Sequence, residues 1–249
     1  MTTMNTQRFL EETHKVVNKY QETQMENMRK ASEILAESIM SDGVVHFFGS
    51  GHSVGVGMEM IGRPGNLVPI HQIVTSDFVT KGITTLEDFR DPVNKFERRP
   101  GVADKLFDMY NIKPQDAFVI ISNSGINGVV IDLAIKAKQE NHPVIVITSL
   151  EHTTAEPSRH PSGQKLMDFG DIVIDNCGPR GDAMIPLEDG GKIGSISSII
   201  GILIAQGFTA EVTSILKDNN YEVPVLLFED SAEAKEHNQA LRAKYEGRI

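Results

Sequence analysis

One stretch of the chain, from Asp116 to Asn127, constrains the fold more than any other. Its first half is an uninterrupted apolar run from Ala117 to Ile121, which is typical of a strand buried on both faces of a parallel sheet. Its second half is polar, and the apolar residues that follow it recur at helical spacing. These residues are Val129, Val130, Leu133, Ala134 and Ala137. The stretch therefore predicts a strand, a short polar loop and a helix, in that order.

The polar loop of this stretch is predicted to bind an anion. In an open α/β sheet such a loop lies at the carboxyl end of a strand, where ligands bind. The helix that begins there directs unpaired backbone N–H groups at the ligand, and hydroxyl and amide side chains add further donors. A phosphate is the anion that such a loop suits best. The alternative is ordinary capping, because Ser, Asn and Gly are common in turns and at N-caps.

The charge of the chain limits how a phosphate site can be built. The chain has 24 basic and 34 acidic residues, which give a formal net charge of −10. This excess of acid argues against non-specific binding to nucleic acid or to an anionic membrane. A phosphate site must therefore be built locally, from oriented N–H groups and hydroxyls.

Cysteine content and hydropathy predict a cytoplasmic protein. Cys177 is the only cysteine, so no internal disulfide can form, which fits a reducing compartment. The N-terminus lacks the apolar core of a signal peptide, and no window reaches about 18 uninterrupted apolar residues, so no membrane span is expected. His152 and His160 share a loop, but no carboxylate or thiol accompanies them at metal-ligand spacing. We therefore expect neither a metal nor a cofactor.

Strands and helices alternate along the chain, which predicts an α/β fold with a parallel sheet between two layers of helices. The predicted strands are 44–48, 67–73, 117–121, 143–149 and 171–175, with a further candidate edge strand at 223–228. The predicted helices are 6–40, 54–62, 102–110, a helix that ends at 140, 194–216 and 231–245. Residues 1–249 are expected to form one domain, with the long helix 6–40, a core at 43–220 and a helical tail at 221–249.

Two parts of this layout leave alternatives open. The helix at 6–40 is either a packing helix of its own domain or a subunit contact, because its apolar stripe needs a partner. The segment 74–115 has no clear strand, and a segment of this length is either a lid or wall of an active site or a surface decoration. Pro69 removes a ladder donor, so strand 67–73 is predicted to lie at an edge or in an irregular position. His46, inside the first strand, is predicted to be a core histidine.

The glycine pattern disfavours the two common nucleotide-binding loops. A dinucleotide fold requires Gly-x-Gly-x-x-Gly after the first strand, but Val54 occupies the position of the third glycine. A P-loop requires Gly-Lys followed by Ser or Thr, but Ile193 follows the only Gly-Lys pair. What remains is a small site shared by two loops, Gly49 to Ser53 and Ser122 to Asn127. Such a site suits one phosphate on a small molecule.

These two loops also resemble a known family, the sugar isomerase (SIS) domain. The resemblance rests on Phe48-Gly49-Ser50-Gly51-His52-Ser53 after the first strand and on Ile121-Ser122-Asn123-Ser124-Gly125-Ile126-Asn127 after a later one. It extends over about residues 7–220. Within the family, the chain resembles phosphoheptose isomerase in overall layout, and it is similar to a bacterial group that has the Gly-His-Ser loop and the Asp175-Asn176-Cys177-Gly178 turn.

The resemblance implies a three-layer fold with a flavodoxin-like parallel sheet of about five strands. It also implies a homodimer or homotetramer with sites at subunit contacts. In the second loop, it implies that Ser122, Ser124 and Asn127 hold the phosphate, while Asn123 and Gly125 shape the backbone. In the first loop, the resemblance implies that Ser53 touches the sugar or the phosphate. The first-loop residues expected to bind the substrate are Gly49, Ser50, Gly51 and Ser53.

Catalytic candidates follow from the needs of aldose–ketose isomerisation, in which a base moves a proton between neighbouring carbons and an acid serves the oxygens. Glu59 is the expected base, because it lies on the helix that leaves the first loop, close to where isomerases of the family carry a catalytic Glu. The alternative for Glu59 is a solvated helix residue. His52 and His71 are the candidate acids, and either is alternatively a plain polar histidine. Arg180 and Asp182 are expected to contact the substrate.

One departure from the family bears on the reaction. In phosphoheptose isomerase a His on the late buried helix takes part, but residues 194–216 contain no His. Either another residue replaces it or this protein does not isomerise. The sequence favours a protein that binds a phosphorylated sugar and isomerises it by enediol-type proton transfer. The alternatives are a non-catalytic sugar-phosphate sensor and a sugar-phosphate lyase or deglycase.

Overall fold

Five parallel strands form the central sheet of the computed structural model, which describes residues 5–95, 99 and 101–249. The strands are β1 Val45–Gly49, β2 Ile70–Ile73, β3 Ala117–Ile121, β4 Val144–Thr148 and β5 Ile172–Asp175. Their order across the sheet is β2-β1-β3-β4-β5. The predicted fold class, a three-layer α/β arrangement around a flavodoxin-like parallel sheet, is confirmed.

Helices cover both faces of this sheet. They are α1 Thr6–Met40, α2 Val54–Met60, α3 Asp77–Thr80, α4 Leu86–Phe89, α5 Ala103–Asp108, α6 Gly128–Gln139, α7 Leu150–Ala155, α8 Ser197–Asp218 and α9 Ala232–Lys244. One hydrophobic cluster joins α1, α2 and α8 to one face, and a second joins α3, α5 and α6 to the other. The strand β3 serves both clusters, since Val119 packs in the first and Ile120 in the second. This two-sided burial is why its sequence is an unbroken apolar run.

The helix α1 is 35 residues long and begins where predicted. The side chain of Asn5 caps it by accepting a hydrogen bond from the backbone N–H of Arg8 at 3.0 Å. Its apolar stripe packs against α8 and β5 of the same chain. The helix ends before Gly43, where a side chain would collide with Ser38. The partner that the stripe requires is therefore supplied within the chain.

The late helix α8 begins three residues after its predicted start, because residues Lys192–Ser195 form a strand instead. This strand, β7, pairs in antiparallel fashion with β6, Ala183–Pro186. Gly194 has a φ of +78° and lies against the ring of Phe9, and this left-handed conformation is incompatible with a helix interior. By length and composition α8 would be able to cross a membrane, but here it packs against α1 and α2.

The edge of the sheet differs from the prediction in detail. The strand β2 lies at an edge, as Pro69 indicated, but it begins only at Ile70. The candidate strand at 223–228 is absent from the described part of the chain, where Val225 forms a single bridge with Leu67. An isolated bridge cannot propagate here, since Pro224 has no N–H to donate.

The segment 74–115 contains the three short helices α3, α4 and α5. The last of these replaces the predicted helix 102–110 and packs on α6. Residues 96–98 and 100 lie outside the described part of the segment.

A buried ionic network lies at the amino ends of the strands. The carboxylate of Asp116, immediately before β3, accepts hydrogen bonds from the guanidinium of Arg248 at 2.5 and 2.7 Å and from the ring of His46 at 3.1 Å. It also accepts the backbone N–H groups of Val44 and Lys113. Burial alone would raise the pKa of Asp116, but these hydrogen bonds outweigh burial and lower it to about 2. The network ties the end of the chain to the sheet.

The Asp116 network predicts acid-sensitive stability. A carboxyl with a pKa near 3.9 when unfolded and about 2 when folded stabilises the protein above pH 4, and this stabilisation is lost as the pH falls from about 4 to about 2. Asp116→Asn should lower the free energy of unfolding by about 2–3 kcal/mol at pH 7, and the difference from wild type should shrink at pH 3. Urea denaturation at both pH values measures this. Asp218→Asn, at an exposed position, is the control. An equal loss at both pH values would contradict the assignment.

Candidate functional site

The two polar loops identified in the sequence lie side by side at the carboxyl ends of β1 and β3. Gly49, the last residue of β1, is the register partner of Ile121, the last residue of β3. Adjacent strands are about 4.8 Å apart, so the loops that leave them begin at that separation. Both loops lead directly into helices, the first into α2 and the second into α6. The structure therefore brings the two predicted loops together.

The second loop is held in one conformation by the ends of β4 and β5. Gly125 has a φ of +63°, and a side chain there would meet Thr148 and Thr153 at about 3 Å. The N–H of Gly125 donates to the hydroxyl of Ser122 at 3.1 Å. The side chain of Asn123 accepts from the amide of Asn176 at 2.9 Å. Three of the predicted phosphate-loop residues thus fix the shape of the loop.

The helix α6 begins without a side-chain cap. Asn127 occupies the N-cap position, but its side chain makes no bond to the first turn of the helix. Its amide oxygen instead accepts a hydrogen bond from the guanidinium of Arg159 at 2.8 Å. The first N–H groups of a helix have no intrahelical partner, so this end presents uncapped donors and the positive end of the helix dipole. Ser124 lies beside it and is partly exposed.

The first loop is compact because Gly49 leaves no room for a side chain. A methyl group at Gly49 would lie 2.7 Å from the backbone oxygen of Ser53. Residues Gly51–Ser53 then form one turn of 3-10 helix before α2. Ser50 and Ser53 are partly exposed, whereas Gly51 and His52 are exposed. The loop thus presents hydroxyls and one imidazole at the strand ends.

A cavity of about 270 Å³ opens beside the first loop. Ser50 and Gly51 line one side of it, together with Thr75, which follows β2. The other lining residues belong to the 89–95 segment. Small-molecule sites in proteins begin at about this volume. The segment 74–115 is therefore a wall of the cavity in this structure and more than a surface decoration.

Glu59, the expected base, lies on α2, and among the described residues its carboxylate forms no hydrogen bond to either loop. Its carboxylate pairs with Arg63 and accepts a hydrogen bond from the amide of Gln206 on α8 at 3.3 Å. The Glu59 side chain is 23% exposed, and that of Arg63 is 61% exposed. An exposed pair of this kind is weak and can exchange partners. Gln206 lies on α8, the late helix that contains no histidine.

The two candidate acids lie in different environments. His52 is exposed on the 3-10 turn of the first loop. His71 lies near the amino end of β2, where its Nδ1 is 3.1 Å from Nδ1 of His46. Burial, followed by the neighbouring His46, lowers the pKa of His71 to about 4. His71 is therefore neutral at pH 7, belongs to the amino-end cluster and lies away from the loops.

The two residues expected on the loop after β5 make contacts within the protein. The guanidinium of Arg180 pairs with Glu156 at 2.5 Å. Asp182 accepts hydrogen bonds from the backbone N–H groups of Ile196 and Ser197 and from the Ser197 hydroxyl. Asp182 therefore caps the start of α8. These three hydrogen bonds give the Asp182 carboxylate a structural role.

Sequence reasoning missed Arg159. Its backbone N–H donates to the carbonyl of Ile126 at 3.0 Å, and its guanidinium reaches the side chain of Asn127. These two hydrogen bonds hold the positive charge of Arg159 beside the loop that is predicted to bind phosphate. No motif surrounds Arg159 in the sequence, and only its contact with residues about 30 positions earlier identifies it. Among the described residues, no group of three or more His, Cys, Asp or Glu side chains is placed to hold a metal ion.

Comparison with known proteins gives consistent matches along the whole chain. The SIS domain family model matches residues 8–149. A UPF0309 protein of Caldanaerobacter subterraneus subsp. tengcongensis is 33% identical over 245 residues, which cover 97% of each chain.

Two solved structures have similar folds at low sequence identity. Phosphoheptose isomerase GmhA from Neisseria gonorrhoeae is 19% identical with a TM-score of 0.55, over 82% of this chain and 95% of that one. The Vibrio vulnificus NanR protein complexed with ManNAc-6P is 12% identical with a TM-score of 0.51, over 96% of this chain and 67% of that one. These two likenesses concern the fold.

Proposed function

The chain belongs to the SIS domain family, and from this premise we propose that it binds a phosphorylated sugar at the two loops and isomerises it between aldose and ketose. The observation that carries the proposal is the uncapped start of α6, where Asn127 turns its side chain to Arg159. An uncapped helix N-terminus at the carboxyl edge of a parallel sheet is a site for a phosphate.

Phosphate binding in this proposal uses the second loop and α6. The backbone N–H groups at the start of α6 and the hydroxyl of Ser124 donate to the phosphate oxygens. Arg159 adds a positive charge beside Asn127. Ser122, Asn123 and Gly125 hold the loop in shape through the bonds described above. The sugar then extends across the first loop, where Ser50 and Ser53 are within reach of its hydroxyls.

Isomerisation in this proposal uses Glu59 as the base. The carboxylate removes a proton from the carbon next to the carbonyl and returns it to the neighbouring carbon, so that an enediol forms between the two steps. Glu59 must first release Arg63, and because this ion pair is solvent-accessible, breaking it costs little free energy. His52, exposed on the first loop, is the proposed acid for the sugar oxygens.

A second candidate function is sugar-phosphate binding without turnover. The observation that favours it is the engagement of Glu59 by Arg63 and Gln206, together with the lack of a histidine on α8. The NanR structure is also of a protein complexed with a sugar phosphate, ManNAc-6P. The same two loops would bind the ligand in either case.

Ser124→Ala tests the phosphate site. A hydrogen bond to a charged group contributes about 1.5–3 kcal/mol, so this substitution should weaken the binding of a sugar phosphate by about 10- to 100-fold. Among the described residues the Ser124 hydroxyl has no hydrogen-bond partner, so the free energy of unfolding should not change. Calorimetric titration with pentose, hexose, heptose and amino-sugar phosphates measures the affinity.

Ser41→Ala is the matched control for this titration, because Ser41 is exposed at the end of α1, near the amino edge of the sheet. It should retain wild-type affinity. The free sugars should not bind measurably. Equal affinity of the Ser124→Ala variant and the wild type for the same sugar phosphate would contradict the proposed site.

Glu59→Gln separates isomerisation from binding alone. An enediol mechanism exchanges the proton next to the carbonyl with solvent, so the wild type in D₂O should introduce deuterium at that carbon of the bound sugar phosphate. Loss of a general base costs about 100- to 10,000-fold in rate, so exchange should fall by that factor while affinity is retained. Proton NMR follows the exchange.

Glu33→Gln is the control for exchange, because Glu33 forms a similar exposed pair with Arg29 one helical turn away. This variant should exchange like the wild type. If the wild type binds a sugar phosphate but catalyses neither exchange nor interconversion of aldose and ketose, isomerisation is excluded and binding without turnover becomes the function.

A further inference from the structure

The cavity beside the first loop has a cationic wall that the proposed function does not use. Arg90 and Lys95 both line it, together with Ser50 and Gly51. Both side chains are exposed, and among the described residues neither forms an ion pair or a side-chain hydrogen bond. Two unpaired cations that face one cavity are unusual in a chain with a net charge of −10.

One acidic side chain, that of Asp91, lines the same cavity. Its Oδ1 atom accepts the backbone N–H groups of Val93 and Asn94 at 2.8 and 3.1 Å, so this carboxylate stabilises the turn between Arg90 and Lys95. The nearby Asp88 is occupied by Arg99, at 2.7 Å. With two cations and one partly engaged carboxylate, the wall has a net positive charge. Such a wall attracts an anionic group locally although the chain as a whole is acidic.

The cationic wall lies where the far end of the ligand is expected. The strand order β2-β1-β3 places the cavity, at the ends of β1 and β2, one to two strands away from the start of α6. Strand spacing makes this a separation of about 5–10 Å. A sugar whose phosphate binds at α6 and whose chain crosses the first loop therefore directs its other end towards Arg90 and Lys95.

We propose that Arg90 and Lys95 bind a second anionic group on the ligand, so that the site selects sugar phosphates with a second phosphate or a carboxylate. This inference rests on the proposed function and specifies its substrate class. Arg90 offers a fork of N–H donors that matches either group, and Lys95 adds a point charge. A phosphate or carboxylate at this end would be held by charge-assisted hydrogen bonds, whereas a neutral hydroxyl would not.

Calorimetric titration at constant ionic strength tests the proposal with two matched pairs of ligands. The first pair is fructose 6-phosphate and fructose 1,6-bisphosphate, and the second is glucose 6-phosphate and 6-phosphogluconate. In at least one pair, wild type should bind the doubly anionic member about tenfold more tightly or better. A preference in the first pair identifies the second group as a phosphate, and a preference in the second pair identifies it as a carboxylate.

The double variant Arg90→Gln with Lys95→Gln should reduce this preference to within about twofold of equal binding. The control, Lys19→Gln with Lys235→Gln, removes the same charge from exposed sites on α1 and α9 and should retain the preference. Equal binding within both pairs by wild type, or a preference that survives in the double variant, would overturn this inference and leave the proposed function intact. Failure of all four ligands and of the wider sugar-phosphate panel would overturn both.

Discussion

Asn127 turns its side chain away from the helix that it begins and towards Arg159. The candidate site depends on the single hydrogen bond between these two side chains. The amide oxygen accepts from Arg159 at 2.8 Å, and the first turn of α6 is left without a cap. Unpaired N–H groups next to a sheet core cost free energy, and a bound anion removes that cost. The positive potential that results is local. This is how a chain with a net charge of −10 can offer a site for a phosphate.

The polar groups at the amino ends of the strands and those at the carboxyl ends have opposite roles. At the amino edge, Asp116 has its carboxylate fully occupied by Arg248, His46 and backbone N–H groups, which stabilises the fold. At the carboxyl edge, the loop bonds fix the backbone and leave the donors of α6 available. Asn123 is held by Asn176, and Gly125 fits against Thr153, so the donors are positioned before a ligand arrives. Such preorganisation reduces the entropy that binding must offset.

Local patterns in the sequence were sufficient for the α/β class and the two loops, and the family resemblance implied the five-stranded sheet. The apolar run of β3 reports burial on both faces, and the capping and glycine signals at its end report the loop. Contacts between residues that lie far apart in the sequence could not be predicted from local patterns. Arg159 reaches Asn127 from a loop with no motif, and His71 looked like a loop-side acid although its strand places it at the amino edge. The last two residues of β7 were predicted to begin a helix, because neither the left-handed backbone of Gly194 nor its contact with Phe9 is visible in a local pattern.

Binding of a sugar's phosphate at the start of α6 can be observed in two-dimensional ¹H–¹⁵N spectra of the labelled protein, recorded during titration with a sugar phosphate and with the matching free sugar. The amide signals of Gly128 and Val129 should move to lower field with the phosphate ester and stay in place with the free sugar, because a hydrogen bond to an anion deshields the amide proton. Saturable binding of the phosphate ester that leaves both amide signals unmoved would contradict phosphate binding at the start of α6.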